Sequence, residues 1–328
     1  MTGQTMVPGY RHVPGNHCGS TALRNLLAFH GAELTEEMAF GLGAGACFFY
    51  VALDGQSPSR FTNGRAAKLE ENFLELTGAP LRLRTDPDPE ASWQLARHAV
   101  DSGRPALLLT DLYYLDHYGK SAHFPGHAVV IAGYGSEEAL LSDTGFEELQ
   151  TTKLENLAKS RHSKQPISQL DGHIVDLPEG EALDAAALRE TVPAAVARAA
   201  EEMIEPALPE FQGLPALRKL ATEVESWPEA AEDWQWCARF LFQVIERRGT
   251  GGGNFRKMYS RFLDETGYAA EAPLAAEASE RWTALAEAAR VASESDQADP
   301  EQWAELGRLA EATLDSETRL WLGLAALG

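Results

Sequence analysis

Segments typical of β-strands stop near Pro178, and this change divides the chain into two parts of different fold class. Before Pro178, amphipathic helical segments alternate with short aliphatic or β-branched runs. After it, the amphipathic segments all have helical periodicity. A chain of 328 residues is long enough for two domains with separate cores. We therefore expect an α+β domain over residues 1–178 and an all-α domain over residues 179–328.

The two parts differ in the elements that their sequences predict. In the first part we expect strands at 47–53, 81–85, 106–110 and 173–177, and a hairpin within 127–143. In the second part we expect helices at 183–204, 214–224, 229–246, 254–265, 274–292 and 300–327. The acidic stretch 293–299 is typical of a loop between two helices and not of a domain linker.

Cys18 lies where a helix is expected to begin. Residues 19–30 place four apolar side chains at helical spacing, and Gly31 is a typical C-terminal stop. Unpaired backbone N–H groups and the positive end of the helix dipole stabilise a thiolate, which is the nucleophilic form of cysteine. The position of Cys18 therefore predicts a nucleophile.

A base and an orienting carboxylate are expected on one hairpin. The run 127–133 is typical of a strand, Gly135 lies in turn material, and 139–143 is a second short strand. If the hairpin is centred on Gly135, His127 lies directly opposite Asp143. Opposed side chains are about 4.5–5.5 Å apart at Cβ, which is close enough for a carboxylate to accept from an imidazole N–H. We expect Cys18, His127 and Asp143 to form a catalytic triad.

A cysteine on a helix, a histidine on a strand and an acid on the next strand is the chain order of papain-like folds. Residues 17–27 and 37–45 resemble the N-terminal domain of the butirosin-biosynthesis H-type acyltransferases. Residues 249–256, with Tyr259 and 262–263 after them, resemble the C-terminal domain of that family. The resemblance implies a papain-like cysteine enzyme of antibiotic or other natural-product biosynthesis. Such an enzyme moves an acyl group from an acyl carrier protein to a small-molecule amine.

The resemblance also bears on the oxyanion hole. Papain-like enzymes commonly place a glutamine some residues before the nucleophile, and residues 11–17 contain none. The backbone N–H of Cys18 is one expected donor. Asn16, His17 and His12 are the candidates for the second. A thioester needs less activation than an amide, so a less complete oxyanion hole can suffice.

Gly43 and Gly45 lie in a glycine-rich turn that follows a helix and precedes a strand. This order is the reverse of the one that a dinucleotide-binding fingerprint needs, so we expect no bound cofactor. Two interpretations remain open. Either the turn is flexible backbone between a helix and a strand, or its backbone approaches the acyl substrate closely.

A basic and glycine-rich cluster stands out in the expected helical domain. Its candidate ligand-binding residues are Arg247, Arg248, Gly251, Gly252, Asn254 and Arg256. Glycine-rich backbone before a helix N-terminus is suited to anions, and arginine adds bidentate contacts to phosphate. The cluster could bind the phosphopantetheine phosphate or an acidic face of the carrier protein. The alternative is an interhelical loop with Asn254 as N-cap and solvated charges.

Composition limits the partners and the location. The net charge of −21 argues against nucleic acids and anionic membranes. Three cysteines, no pattern of a signal peptide and no apolar run of membrane-spanning length favour the cytoplasm. Cys47 and Cys237 lie among aromatic residues, and we expect both to be core thiols.

His117, His123 and His127, with Asp111 and Asp116, have the composition of a metal site. They lack the helical i, i+4 spacing or the cysteine pair that would fix a coordination geometry. We therefore expect no bound metal.

Two other functions remain compatible with the sequence. A cysteine hydrolase or cyclase would use the same triad and differ in whether water or an internal amine reaches the acyl-enzyme. A non-catalytic carrier-docking protein would keep the basic cluster and be indifferent to loss of Cys18. The acyl group, the acceptor and the oligomeric state are not specified by the sequence.

Overall fold

The computed structural model describes residues 4–53, 55–120, 122–165 and 168–327. The strands are β1 (Thr5–Met6), β2 (Ala46–Ala52), β3 (Arg60–Arg65), β4 (Arg82–Arg84), β5 (Ala106–Asp111), β6 (Pro125–Tyr134), β7 (Glu138–Ser142), β8 (Gln150–Lys153), β9 (Lys164–Gln165), β10 (Ser168–Gln169) and β11 (Ile174–Asp176). The first helices are α1 (Cys18–Phe29), α2 (Glu36–Leu42), α3 (Leu69–Thr77), α4 (Pro89–Asp101) and α5 (Leu154–Arg161). They are followed by α6 (Ala185–Glu190), α7 (Val192–Ile204), α8 (Gly213–Glu223), α9 (Trp227–Ala230), α10 (Trp234–Glu246), α11 (Arg256–Glu265), α12 (Ala272–Ser293) and α13 (Pro300–Ala325).

These elements give an α+β chain with a β-rich N-terminal part and a helical C-terminal part. Within the described residues, no strand follows residue 178, as the sequence predicts. Two predicted helices are each divided in two. The segment 183–204 contains α6 and α7, and the segment 229–246 contains α10 preceded by the short α9. None of the described helices combines the length and the apolar character needed to cross a membrane.

An antiparallel sheet of seven strands dominates the N-terminal part. Its order is β4-β11-β5-β6-β7-β8, and β1 also pairs with β6. The helix α1 packs against β6 and β5. Three leucines of α1 that recur at helical spacing, Leu23, Leu26 and Leu27, are fully buried. This packing fixes the start of α1 relative to the strand that carries His127.

The chain divides into two compact units that are not continuous in sequence. The first contains residues 1–39 and 73–189, and the second contains residues 40–72 and 190–328. These units differ from the predicted boundary at residue 178 in two respects. The first unit extends to Arg189, and an internal segment of the predicted first domain belongs to the second unit.

The hairpin formed by β2 and β3 explains this division. It makes a two-stranded sheet of its own and does not join the seven-stranded sheet. Within the second unit, β2 packs against α7 and α8, and β3 packs against α10. Phe48 contacts the Trp282 ring, with 5.2 Å between the ring centroids. The hairpin therefore belongs to the core of the helical unit.

Candidate active site

Cys18 is the first residue of α1. The preceding residue, His17, has extended backbone and caps the helix, because its Nδ1 accepts from the Ser20 N–H at 3.3 Å. Cys18 is half-buried, so its thiol lies at the helix N-terminus without being enclosed by the core. This is the environment that lowers the pKa of a thiol and favours the thiolate.

His127 lies near the start of β6 and is buried, with 5% of its surface exposed. Its Nε2 lies 3.0 Å from both carboxylate oxygens of Asp143. Its side chain also forms a hydrogen bond with Cys18. Since Nε2 faces Asp143, Nδ1 is the ring nitrogen left for the thiol. The structure therefore brings Cys18, His127 and Asp143 together within the first unit.

The hairpin register differs from the predicted one. Val130 pairs with Ser142 and Ile131 with Leu141, and a bulge follows before Gly133 pairs with Leu140. This register is two to three residues away from a hairpin centred on Gly135, so His127 is not directly opposite Asp143. The contact still forms because Asp143 follows the last residue of β7, outside the ladder, and a shift of two residues keeps a side chain on the same face.

Asp143 has two further donors that the sequence analysis did not assign to the site. His117 Nε2 lies 2.9 Å from Asp143 Oδ2, and the Tyr118 hydroxyl donates to Oδ1 at 3.2 Å. The Tyr118 ring also stands edge-on to His127, with 5.5 Å between the centroids. The sequence carries only a weak signal for them, since His117 lies in a context typical of a metal ligand. Both residues belong to the 3₁₀ turn at Asp116–Tyr118.

The charges of the site favour a protonated His127. Burial lowers the pKa of His127, but the Asp143 charge, its hydrogen bond and Cys18 raise that pKa to about 10. Burial raises the pKa of Asp143, yet the charge of His127 and the hydrogen bonds from His117 and His127 hold it well below its usual range. At neutral pH the site therefore holds an imidazolium between a carboxylate and a thiol, which stabilises the thiolate.

The three candidates for the second oxyanion donor differ in what their nitrogens already contact. Both ring nitrogens of His12 are engaged, with the Ser142 hydroxyl and the Phe146 carbonyl at 2.7 Å each. His17 uses Nδ1 to cap α1. Asn16 is exposed, and its side-chain amide donates one N–H to Glu36 at 3.2 Å. A primary amide carries two N–H donors, so the bond to Glu36 uses one of the two in Asn16.

Gly43 and Gly45 are buried in the second unit. A Cβ at Gly43 would lie 2.7 Å from the Leu69 side chain, and one at Gly45 would lie 2.6 Å from the Phe40 ring. The two glycines are therefore required by packing against protein atoms. The interpretation in which their backbone approaches the substrate is wrong, because no surface is left for a ligand.

Arg256 was predicted to bind phosphate, and this prediction is wrong. Its side chain is fully buried and forms a bidentate ion pair with Glu317, at 2.8 and 3.0 Å. Its remaining donor nitrogen, Nη1, points to backbone carbonyls, including those of Cys47 and Gly64. Glu317 also accepts from two tryptophan indoles, those of Trp282 and Trp321. Arg256 thus joins the β2–β3 hairpin to the helices of its own unit.

Replacing Arg256 with methionine should destabilise the protein by about 3–5 kcal/mol, because Glu317 would remain buried without its cation. Urea denaturation of the two proteins measures this difference. The matched control is Arg308→Met, which removes an exposed arginine on α13 and should change stability by about 0.5 kcal/mol or less. Equal losses in both variants would contradict the structural role of Arg256.

The glycine-rich loop before α11 uses its amides internally. The Gly252 N–H donates to Thr250 and the Gly253 N–H donates to the Glu246 carboxylate. Asn254 and Phe255 have positive φ angles of 53° and 68°, so the helix begins at Arg256 and Asn254 is not its N-cap. An acidic side chain already occupies this loop, and the predicted anion site at Gly251, Gly252 and Asn254 is therefore not supported.

Arg247 and Arg248 remain exposed. The guanidinium of Arg248 lies 4.7 Å from the centroid of the Phe240 ring, and that of Arg247 lies 5.8 Å from Phe242. Stacking on aromatic rings orders both side chains, and Arg248 Nη2 also donates to the Gln243 side chain at 2.8 Å. The pair is a small basic surface on a strongly acidic chain.

His117 and His123 have separate carboxylate partners. His117 contacts Asp143, whereas His123 Nδ1 lies 2.8 Å from Asp111. Across the described residues, no group of three or more His, Cys, Asp or Glu side chains has the arrangement of a metal site.

Comparison with known families matches the N-terminal and C-terminal parts of the chain to two different family models. Residues 17–144 match the family model of the butirosin biosynthesis protein H N-terminal domain, and residues 155–324 match a domain of unknown function (DUF4872). No curated protein matches the chain. The first match contains Cys18, His127 and Asp143, and the second covers about half of the chain. The chain belongs to the family in which a butirosin biosynthesis protein H N-terminal domain precedes a DUF4872 domain.

Proposed function

We propose that this protein is a papain-like cysteine acyltransferase of natural-product biosynthesis. It takes an acyl group from the phosphopantetheine thioester of an acyl carrier protein and passes it to a small-molecule amine through an acyl-Cys18 intermediate. The name of the N-terminal family supports a biosynthetic role. No cofactor is bound in this proposal, since the phosphopantetheine belongs to the carrier protein.

The observation that carries the proposal is the chain of contacts from Cys18 through His127 to Asp143. Cys18 begins a helix, His127 is buried beside it, and Asp143 holds the opposite edge of the imidazole ring. Packing alone does not require a buried carboxylate that accepts from two histidines and a tyrosine. A nucleophile, its base and an orienting acid do require this arrangement.

Acylation follows from the charges of the site. The Cys18 thiolate attacks the thioester carbonyl, and the tetrahedral oxyanion accepts from the Cys18 backbone N–H and the other side-chain N–H of Asn16. When the carbon–sulfur bond to phosphopantetheine breaks, the His127 imidazolium gives its proton to the leaving thiolate. The products of this step are acyl-Cys18, neutral His127 and a free carrier thiol.

Transfer reverses the movement of the proton. The amine attacks the acyl-Cys18 carbonyl, His127 accepts the amine proton, and the Cys18 thiolate leaves. This regenerates the thiolate–imidazolium pair and releases an amide. Asp143 keeps the imidazole oriented through both steps. Its carboxylate also accepts from His117 and Tyr118, and these bonds hold it in place.

The products formed from an acyl-loaded carrier protein test this proposal. Without an amine, mass spectrometry should detect one acyl adduct on the peptide that contains Cys18. Adding a panel of amines should convert the adduct into amide faster than water releases free acid. Free acid or a lactam as the main product would favour a hydrolase or cyclase, and no adduct at all would favour a carrier-docking protein.

The exposed pair Arg247 and Arg248 is our candidate for recognition of the carrier protein or its phosphate. Replacing both with glutamate should raise KM for the carrier-bound donor about tenfold, because the contact is electrostatic and exposed to solvent. Turnover of a short thioester without carrier or phosphate should stay near the wild-type value. Steady-state kinetics at low and high ionic strength measure both effects, and salt should reduce the difference.

Arg308→Glu provides the matched control, since it makes one such charge reversal on α13, where Arg308 is exposed and paired with Glu305. It should leave KM for the carrier-bound donor unchanged. A loss of equal size with both donors, or a KM that does not respond to salt, would show that Arg247 and Arg248 do not contact the donor.

A further inference from the structure

Glu36, the first residue of α2, is buried beside the nucleophile. Its Oε1 accepts from the backbone N–H of His17 at 2.7 Å and from that of Asn16 at 2.9 Å. The hydroxyls of Ser20 and Thr21, in the first turn of α1, donate to the same oxygen at 3.2 and 3.0 Å. One carboxylate therefore holds both sides of Cys18, the two residues before it and the helical turn after it.

The backbone before Cys18 is shaped around this carboxylate. A Cβ at Gly15 would lie 2.2 Å from the Thr21 hydroxyl and 2.7 Å from Glu36 Oε2, so only glycine fits there. The Gly15 N–H also donates to the Thr144 carbonyl, next to Asp143 in sequence. Glu36 thus fixes the segment that joins the nucleophile to the acid of the triad.

The negative charge of Glu36 bears on the stability of the Cys18 thiolate, in addition to the hydrogen bonds that Glu36 accepts. All of its hydrogen-bond donors are neutral amides and hydroxyls. The carboxylate lies at the N-terminus of α1, where the helix dipole also stabilises a Cys18 thiolate. Two negative charges at one helix end oppose each other, so Glu36 disfavours the thiolate relative to a neutral side chain in its place. A thiolate that is less stabilised is a stronger nucleophile.

We propose that Glu36 is a positioning residue for Cys18, and that its buried negative charge keeps the Cys18 thiolate basic and therefore reactive. The proposal rests on the proposed role of Cys18 as the nucleophile. Other titratable groups that interact with Cys18 include His127 on β6 and Tyr118 in the 116–118 turn, with Asp143 behind His127. His17 precedes Cys18 in the chain. On α1, Arg24 is the cation whose charge interacts with Glu36.

The test is the pH dependence of Cys18 alkylation by iodoacetamide, followed by mass spectrometry of the Cys18 peptide. Glu36→Gln removes the charge, and its amide oxygen can still accept at the position of Oε1. We expect the acid-side midpoint of the alkylation profile to fall by about one pH unit. The plateau rate should fall about threefold, since thiolate nucleophilicity decreases with its basicity.

Glu33→Gln is the matched control, because it makes the same charge change three residues before Glu36, on an exposed side chain. Its alkylation profile should match that of the wild type. A Glu36→Gln profile with an unchanged midpoint, or an equal shift in Glu33→Gln, would overturn the proposed effect of charge.

Glu36→Asp separates the positioning effect of Glu36 from the effect of its charge. It also tests the proposal if Glu36→Gln does not fold. The shorter side chain keeps the charge but cannot reach all the donors around Cys18. Its midpoint should stay within about 0.3 pH unit of the wild type, and its alkylation rate should fall about tenfold. A wild-type rate in Glu36→Asp would overturn the positioning role. Because alkylation requires no carrier protein, these results hold whether or not the thioester donor is correct.

Discussion

Replacing Cys18 with alanine should abolish the acyl-enzyme and lower turnover of a carrier-bound donor about 10⁴-fold or more. The physical reason is that no other thiol of the chain can replace it. Burial raises the pKa of Cys47 to about 12, and burial is also the main cause that raises the pKa of Cys237. Both are held in the core as thiols. Intact-mass measurement after incubation with donor, together with steady-state turnover, checks the expectation.

Cys47→Ala and Cys237→Ala are the controls, since each removes one thiol outside the site. Both variants should form one acyl adduct per chain and keep turnover close to that of the wild type. An adduct that persists in Cys18→Ala, or one that is lost in Cys47→Ala, would refute the role of Cys18 as the nucleophile.

Replacing His127 with alanine should lower turnover about 10³-fold, because the thiolate loses its counter-charge and the leaving group loses its proton donor. Asp143→Asn should retain more activity, since an amide oxygen can still orient the ring. Its pH profile should change as well. The Asp143 charge is the largest cause that raises the pKa of His127, so without it that pKa should fall from about 10 toward neutral. The alkaline limb of the profile should therefore move to lower pH.

The same shift affects stability. A histidine whose folded-state pKa is raised from 6.5 to about 10 stabilises the fold fully below pH 6.5, and this contribution is lost as pH rises through about 10. Thermal unfolding of wild type and Asp143→Asn should therefore differ most at neutral and lower pH. His98→Ala, which removes an exposed histidine on α4, should change neither turnover nor the pH profile. An Asp143→Asn protein with the wild-type alkaline limb would show that Asp143 does not control His127.

Much of the site could be predicted because its residues obey local rules. Cys18 begins a helix whose apolar spacing is clear, and His127 and Asp143 follow from strand periodicity. The register could not be predicted, since it depends on a bulge between Ile131 and Gly133 that strand periodicity does not indicate. His127 and Asp143 meet despite the different register, because strand faces repeat every two residues.

The features that were missed depend on long-range contacts. The inward-facing residues of β3 are Arg60, Thr62 and Gly64, so this buried strand lacks an apolar alternation in sequence. Arg256 has the sequence context of a phosphate ligand, and only Glu317, far along the chain, makes it a core residue. The role of His117 likewise depends on a long-range contact, because the sheet brings its partner Asp143 near.

During synthesis, the hairpin of β2 and β3 emerges before the helices against which it packs. These strands leave the ribosome long before the helices of residues 190–328 that complete their unit. Until then, Phe48 and Tyr50 of β2 lack the rings of Trp282 and Trp227 and are exposed to water. A nascent chain of this layout needs protection from aggregation until its last helices emerge. A truncation after Arg189 would leave the hairpin permanently uncovered. We therefore expect a fragment of residues 1–189 to aggregate.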